Sequence, residues 1–273
     1  MAKRFPDIIH FKAGTLKLEI HPSSEAAGAA AAGNVAESLQ TMSDHTTTLG
    51  VIFATGVSQL FTLHALTSTP GLPWERICGF HLDEYVGLSA DHPASFRRYL
   101  REHLTQLVPM KEFFEIDGDA ADSDRICREY IRELRACDPR LCLLGVGENG
   151  HLAFNDPDEA DFEDPRDMKL VRLDLHCRHQ QLEEGWFTSL EQVPQRALTL
   201  TIPTILRVPK LIVSVPGRRK AQIVRQMVEG PMTTACPATI LRSHPDATVY
   251  LDKESAAHLD ASLLSNGDDQ AER

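Results

Sequence analysis

RLCLLGVGENGHLAFNDP, residues 140–157, decides the architecture. The apolar run at 141–144 has the length and composition of a strand buried on both faces. It empties at once into Gly145, Gly147, Glu148, Asn149, Gly150, His151, Asn155 and Asp156. A loop built only to turn the chain needs less chemistry. Glycine gives backbone room for a ligand, and titratable groups beside it are what a catalytic strand end requires.

Outward from this strand, short apolar runs alternate with longer amphipathic ones. Strands are expected at TLKLEI (15–20), LGVIFAT (49–55), RICGFHL (76–82), RLCLLGV (140–146), KLVRLD (169–174), RALTLTI (196–202), KLIVSV (210–215) and ATVYL (247–251). Helical spacing covers 23–42, 95–107, 122–137 and 218–230, with Ser or Asp near several starts as caps. This alternation predicts an α/β fold, a Rossmann-like three-layer α/β/α sandwich with a mostly parallel central sheet. One domain is expected over residues 1–264, with a frayed tail at 265–273. The alanine-rich 26–32 reads as a small-residue helix face packed close to the sheet. The acidic, proline-broken 155–167 reads as a surface excursion placed to act as a lid.

Composition narrows the function. The chain has 273 residues, 42% hydrophobic and 25% charged, which is ordinary globular usage. Its formal net charge of −11 argues against a nucleic-acid surface, so a small anionic ligand would have to be met locally by helix N-termini and a few cations. The start MAKRFPDIIHFK lacks the apolar segment of a secretory signal, and no membrane-length apolar run occurs, so a cytoplasmic protein is expected. Six cysteines, Cys78, Cys127, Cys137, Cys142, Cys177 and Cys236, form no C-x-x-C pair and read as reduced core residues.

Four strand ends carry candidate chemistry. FATGVSQL (53–60) sets Thr55, Gly56 and Ser58 at a strand-to-helix junction, where free amides welcome phosphate; the same residues equally make a tight capped turn. It is neither a Walker loop nor a dinucleotide fingerprint. GFHLDEYVGL (79–88) ends a strand on Asp83 and Glu84, where open α/β sheets bind ligands, although a solvated turn reads the same way. A histidine side chain can move a proton either way, and a carboxylate near His151 can orient it. The spacing zinc sites favour is missing around it, so no metal is expected. VPGRRKAQ (215–222) brings Arg218, Arg219 and Lys220 to the first turn of a helix, unfavourable for its dipole unless an anion is present, and otherwise a solvated basic cap.

Together LDEYVGL (82–88), GVGENGHLAFNDP (145–157), ATGVS (54–58) and PGRRKA (216–221), with their spacing, resemble glucosamine-6-phosphate deaminases and, more distantly, 6-phosphogluconolactonases. PATILRSHP (237–245) is also deaminase-like, and the resemblance runs from about residue 20 to 255. It implies an aldose-to-ketose isomerisation coupled to loss of ammonia, giving fructose-6-phosphate, with no metal or redox cofactor. By that resemblance Asp83, with Glu84 beside it, supplies the base that moves a proton from C2 to C1. His151 helps open the sugar ring, with Asn149 and Asp156 at the positions that support it. Thr55, Gly56, Ser58 and Lys220 hold the phosphate, beside Gly145. The chain departs from the pattern in three places. Asn149 stands where many deaminases carry aspartate. Asp156 stands where they carry glutamate, so its carboxylate is one methylene shorter. Leu182-Glu183 replaces a second phosphate-side arginine, Arg178 matching only the first. The implied partner is a phosphosugar, with neither nucleic acid nor membrane, and homo-oligomerisation is left open. Lactonase chemistry and a non-catalytic phosphosugar sensor are the competing readings.

Overall fold

The computed structural model describes residues 8–183 and 185–261. In chain order the strands are β1 (Ile9–Ala13), β2 (Leu16–His21), β3 (Leu49–Phe53), β4 (Ile77–His81), β5 (Asp83–Tyr85), β6 (Glu112–Phe113), β7 (Leu141–Gly145), β8 (Met168–Arg172), β9 (Arg196–Leu200), β10 (Lys210–Val215) and β11 (Ala247–Asp252). The helices are α1 (Ser24–Ser43), α2 (Leu60–Thr67), α3 (Phe96–Leu100), α4 (Ser123–Cys137), α5 (Leu175–Glu183), α6 (Ile202–Leu206) and α7 (Ala221–Glu229).

Eight strands form the central sheet in the order β1-β2-β11-β10-β7-β3-β4-β6. Every neighbouring pair is parallel except the antiparallel β1–β2 hairpin. The sheet divides two hydrophobic cores. Val51 and Phe53 face one with Ala31, Val35 and Leu39 of α1 and Leu63 and Leu66 of α2. Ile52 and Ala54 face the other with Ile126, Tyr130 and Leu134 of α4 and Val224 and Met227 of α7. Alternate residues of one strand thus serve opposite layers, which is why these strands are apolar without interruption. The result is the three-layer α/β/α arrangement.

Local signals hold where they were legible. Ser23 caps α1 by accepting from the Ala26 N–H at 3.1 Å, and Asp122 caps α4 by accepting from Arg125 N–H at 2.9 Å. The alanine face of α1 meets α2 as well as the sheet. At Gly28 a Cβ would stand 2.4 Å from that of Phe61, so the two helices approach to backbone distance.

Three expectations change. The strands expected at 169–174 and 196–202 are β8 and β9, and they leave the parallel sheet to form a separate antiparallel one in the order β5-β9-β8. Val171 and Ala197 face a third cluster with Tyr85, Phe154 and Phe187, while Met168, Leu198 and Leu200 join the core that holds α4 and α7. The segment 155–167 is only partly a surface excursion. Asn155, Asp156 and Asp164 are buried; Asn155 Nδ2 donates to the Leu200 carbonyl at 2.9 Å, and Lys169 lies 3.1 Å from Asp164. The third concerns cysteine: Cys78, Cys127, Cys137, Cys142 and Cys236 are free thiols, but Cys127 and Cys137 are only partly buried. The Cys177 side chain and the tail 265–273 lie outside the described residues.

Candidate active site

The order β10-β7-β3-β4 sets four strand ends side by side at the carboxyl edge of the sheet. Their loops enclose a cavity of about 440 Å³. Thr55, Gly56, Ser58, Asp83, Gly145, His151 and Lys220 all line it. Glu84, Asn149 and Asp156 lie behind that surface.

Two of the loops have the same backbone form. Gly56 sits at φ 95°, ψ 171° before a 3₁₀ turn, Val57–Gln59, that runs into α2. Gly217 sits at φ 93°, ψ 150° before a 3₁₀ turn, Arg218–Lys220, that runs into α7. This region of φ/ψ space is essentially reserved for glycine. Each turn has its own clamp. The Tyr99 hydroxyl donates to the Gly56 carbonyl at 2.8 Å, and the Gly217 N–H donates to Asp252 Oδ2 at 2.9 Å. Asp252 is itself held by Ser24 and by the Ser255 N–H. In the first turn Gln59 Nε2 donates to Ser58 Oγ at 3.1 Å and to the Leu144 carbonyl at 3.2 Å, tying the turn to β7.

His151 is fixed from three sides. Its Nδ1 lies 2.9 Å from Asp156 Oδ1, and its N–H donates to Asn149 Oδ1 at 3.0 Å. Asn149 Nδ2 donates to the same Asp156 oxygen at 2.8 Å. The ring lies against Gly147, where a Cβ would stand 2.2 Å from ring Cε1. The shorter carboxylate therefore reaches. Ala153 makes this feasible with φ 52°, a conformation uncommon outside glycine, which doubles the chain back through the Leu152–Asn155 bridge. With Nδ1 engaged, Nε2 is the nitrogen left to a ligand.

The Asp-Glu pair splits across β5. Glu84 is fully buried and accepts from the Ser95 hydroxyl at 2.8 Å, from the N–H groups of Tyr85, Phe96 and Arg97, and from Arg97 Nε at 3.2 Å. It secures the start of α3 and does not line the cavity. Burial raises its pKa and these donors only partly oppose that. Asp83 is 7% exposed and receives no hydrogen bond from the described residues on its carboxyl. Burial first, and then the charge of Glu84, push its pKa well above the carboxylate range. Beneath it, burial holds the His81 imidazole down to about 3, its Nε2 accepting from Ile116 N–H at 2.8 Å, so the ring brings no charge to Asp83.

Sequence reasoning missed part of the wall. Phe96, Tyr99, Phe154, Gln181 and Trp186 line the cavity, as do Glu148 and Arg219. Arg219 was already a candidate in VPGRRKAQ, and Glu148 and Phe154 stand within the quoted 145–157 motif; Phe96, Tyr99, Gln181 and Trp186 gave no signal, because helical or apolar spacing explains each of them. Arg178 is absent from the wall, its guanidinium turned to the Leu190 and Val193 carbonyls.

A family model described as glucosamine-6-phosphate isomerases/6-phosphogluconolactonase matches residues 22–250. A glucosamine-6-phosphate deaminase of Exiguobacterium sibiricum is 42% identical over 193 residues, which cover 71% of this chain and 71% of that protein. Another, of Lactobacillus helveticus, is 33% identical over 199 residues, 73% of this chain and 81% of its own. Among solved structures, a monomeric glucosamine-6-phosphate deaminase superposes with a TM-score of 0.80 at 30% identity, covering 88% of this chain and 99% of its own. The 6-phosphogluconolactonase of Trypanosoma brucei superposes with a TM-score of 0.74 at 21% identity over 92% of this chain and all of its own, a likeness of fold.

Proposed function

The chain belongs to the glucosamine-6-phosphate isomerase/6-phosphogluconolactonase family, and from that premise we propose that it is a glucosamine-6-phosphate deaminase, releasing ammonia and leaving fructose-6-phosphate. The observation that carries this reading is Asp83, a buried carboxyl in the cavity wall with a raised pKa and no hydrogen bond from the described residues. A group prepared in this way is a base kept for a substrate proton.

The phosphate sits between the paired turns, taking amides and hydroxyls from Thr55–Ser58 and charge from Lys220. His151 Nε2 relays a proton between the ring oxygen and the C1 hydroxyl, which opens the pyranose to the aldehyde. Asp156 and Asn149 orient the ring and support its charge. Asp83 then takes the proton from C2 while a proton of the substrate ammonium passes to the C1 oxygen, giving an enol with an amino group on C2. Returning the proton from Asp83 to C1 makes C2 an iminium, and water adds to it and expels ammonia, leaving the ketone and one proton. No electron leaves the sugar in any step, so the sequence is redox-neutral. The protein's work is placement and proton transfer. The cytoplasm is the proposed setting, supported by the free thiols; among the described residues no helix is long and apolar enough to cross a membrane.

The test measures ammonia and ketose phosphate from a panel of 6-phospho-aminosugars. Glucosamine-6-phosphate should yield both in equal amounts. Asp83→Asn should lower turnover by about 10²–10⁴-fold while phosphosugar binding persists. Acid release without ammonia, or near-native turnover by the variant, sinks the proposal.

A further inference from the structure

Glu183 occupies a place where a carboxylate is unexpected, next to a cavity read as a phosphate site. Its partner is Arg219. Arg219 Nη2 lies 3.0 Å from Glu183 Oε2, and Nε lies 2.9 Å from Glu148 Oε1. Glu148 and Arg219 line the cavity, as do Gln181 and Trp186 on either side of Glu183. The three charges come from separate elements: the loop after β7, the end of α5 and the turn after β10. Glu148 is the more enclosed acid, its side chain 21% exposed against 64% for Glu183.

Two carboxylates on one guanidinium leave the trio with a net negative charge. It stands next in the chain to Lys220. An exposed ion pair of this kind adds little to stability, so its consequence is felt by whatever charge enters the cavity. A sphere of the cavity's volume is roughly 9 Å across, within the Debye length of about 10 Å at 0.1 M salt. A phosphate dianion in it therefore feels Glu148 in the wall directly and Glu183, outside the wall, through its hold on Arg219.

We propose that Glu148, assisted by Glu183, is a specificity-determining residue that neutralises Arg219 and so weakens the site's hold on phosphate. This rests on the phosphate placement given above. Lys220, with Arg218 beside it on the cavity wall, then attracts the phosphate, and the cavity discriminates against bare anions that bring no sugar contacts to offset the two acids. Inorganic phosphate, which has charge and nothing else, should be the ligand most affected. The sign is unusual: removing a polar wall residue should tighten binding.

The experiment is calorimetric titration of inorganic phosphate into the native chain, Glu148→Gln, Glu183→Gln, the double variant and Lys220→Ala, and of glucosamine-6-phosphate into the same set carrying Asp83→Asn, which binds the sugar without turning it over. Thermal melts serve as a control for folding. Glu148→Gln should lower the Kd of inorganic phosphate about three- to tenfold, Glu183→Gln should lower it less, and the double variant most. The differences should shrink toward 1 M salt, where the Debye length is about 3 Å. A folded Glu148→Gln variant whose Kd is unchanged or raised overturns the inference, a raised value meaning that Glu148 serves to aim Arg219 at the phosphate. Protein with both acids in place that binds neither ligand, or is indifferent to Lys220→Ala, removes the phosphate site itself.

Discussion

Asp83 and Glu84 are neighbours on the shortest strand that touches the cavity, both carboxylic acids and almost equally buried, yet the two faces of β5 treat them in opposite ways. The far face surrounds Glu84 with donors from α3, including the Arg97 guanidinium. On the cavity face the described residues give Asp83 none. Successive side chains on a strand point to opposite sides, so a single residue step separates a group whose charge the protein has met from one whose charge it has left open. Burial alone is therefore no mark of function. The informative feature is a buried carboxyl that faces the cavity and is given no donor.

The comparison breaks most visibly if Glu84 is altered. Every group around its carboxylate is a donor, so Glu84→Gln turns an amide NH₂ toward N–H and O–H groups and leaves Arg97 short of a buried partner. The expected loss is about 3–5 kcal/mol, read as a fall in the denaturant midpoint. A loss below about 1 kcal/mol would mean that the far face is less committed than its distances indicate.

Asp83→Asn should move stability the other way. A carboxyl whose folded pKa is raised contributes stability that is fully present below its unfolded pKa and is lost as pH rises through the folded one. As pH rises above the ordinary carboxylate value the native protein loses that contribution, so the amide should be the more stable there by about 1 kcal/mol, roughly 2–4 °C in Tm. The gap between the two proteins should open as pH rises and close below the ordinary carboxylate value. Equal melting temperatures across that range would show that the cavity solvates Asp83 after all.

The smallest effect sharpens the coupling between the faces. Turnover needs Asp83 ionised, so the acidic limb of kcat/KM should lie above the usual carboxylate range. Because the Glu84 charge helps to raise Asp83, Glu84→Gln should shift that limb to lower pH when assayed well below its melting temperature. An unmoved limb would assign the whole shift to burial.

Much of this was legible beforehand, for a physical reason. Strands buried on both faces read as unbroken apolar runs, and β3, β4, β7 and β10 are of that kind, so their ends and the polar loops on them could be placed. What pairs with what could not. The apolar content of β8 and β9 is the same whether they join a parallel sheet or leave it, and only the third cluster decides. The acidic stretch after His151 looked solvated because charge counts as surface in a sequence, whereas Asp156 is buried by the imidazole and amide that hydrogen-bond to it. Nor does a sequence say which of two adjacent carboxylates faces inward, or that Asp252, far along the chain, holds the Gly217 turn.

The paired turns carry a last consequence, one of handedness. At both Gly56 and Gly217 the space a Cβ would fill is open, so glycine is required there by torsion alone. The mirror image of each conformation is ordinary extended backbone, which an L residue adopts without strain. Each turn is therefore a position that suits a D-amino acid, held in a chain of L-residues by the one encoded residue that has no hand. A D-alanine introduced by chemical ligation would adopt either conformation without torsional strain, whereas its L counterpart would be strained by about 1–3 kcal/mol with nothing touching it.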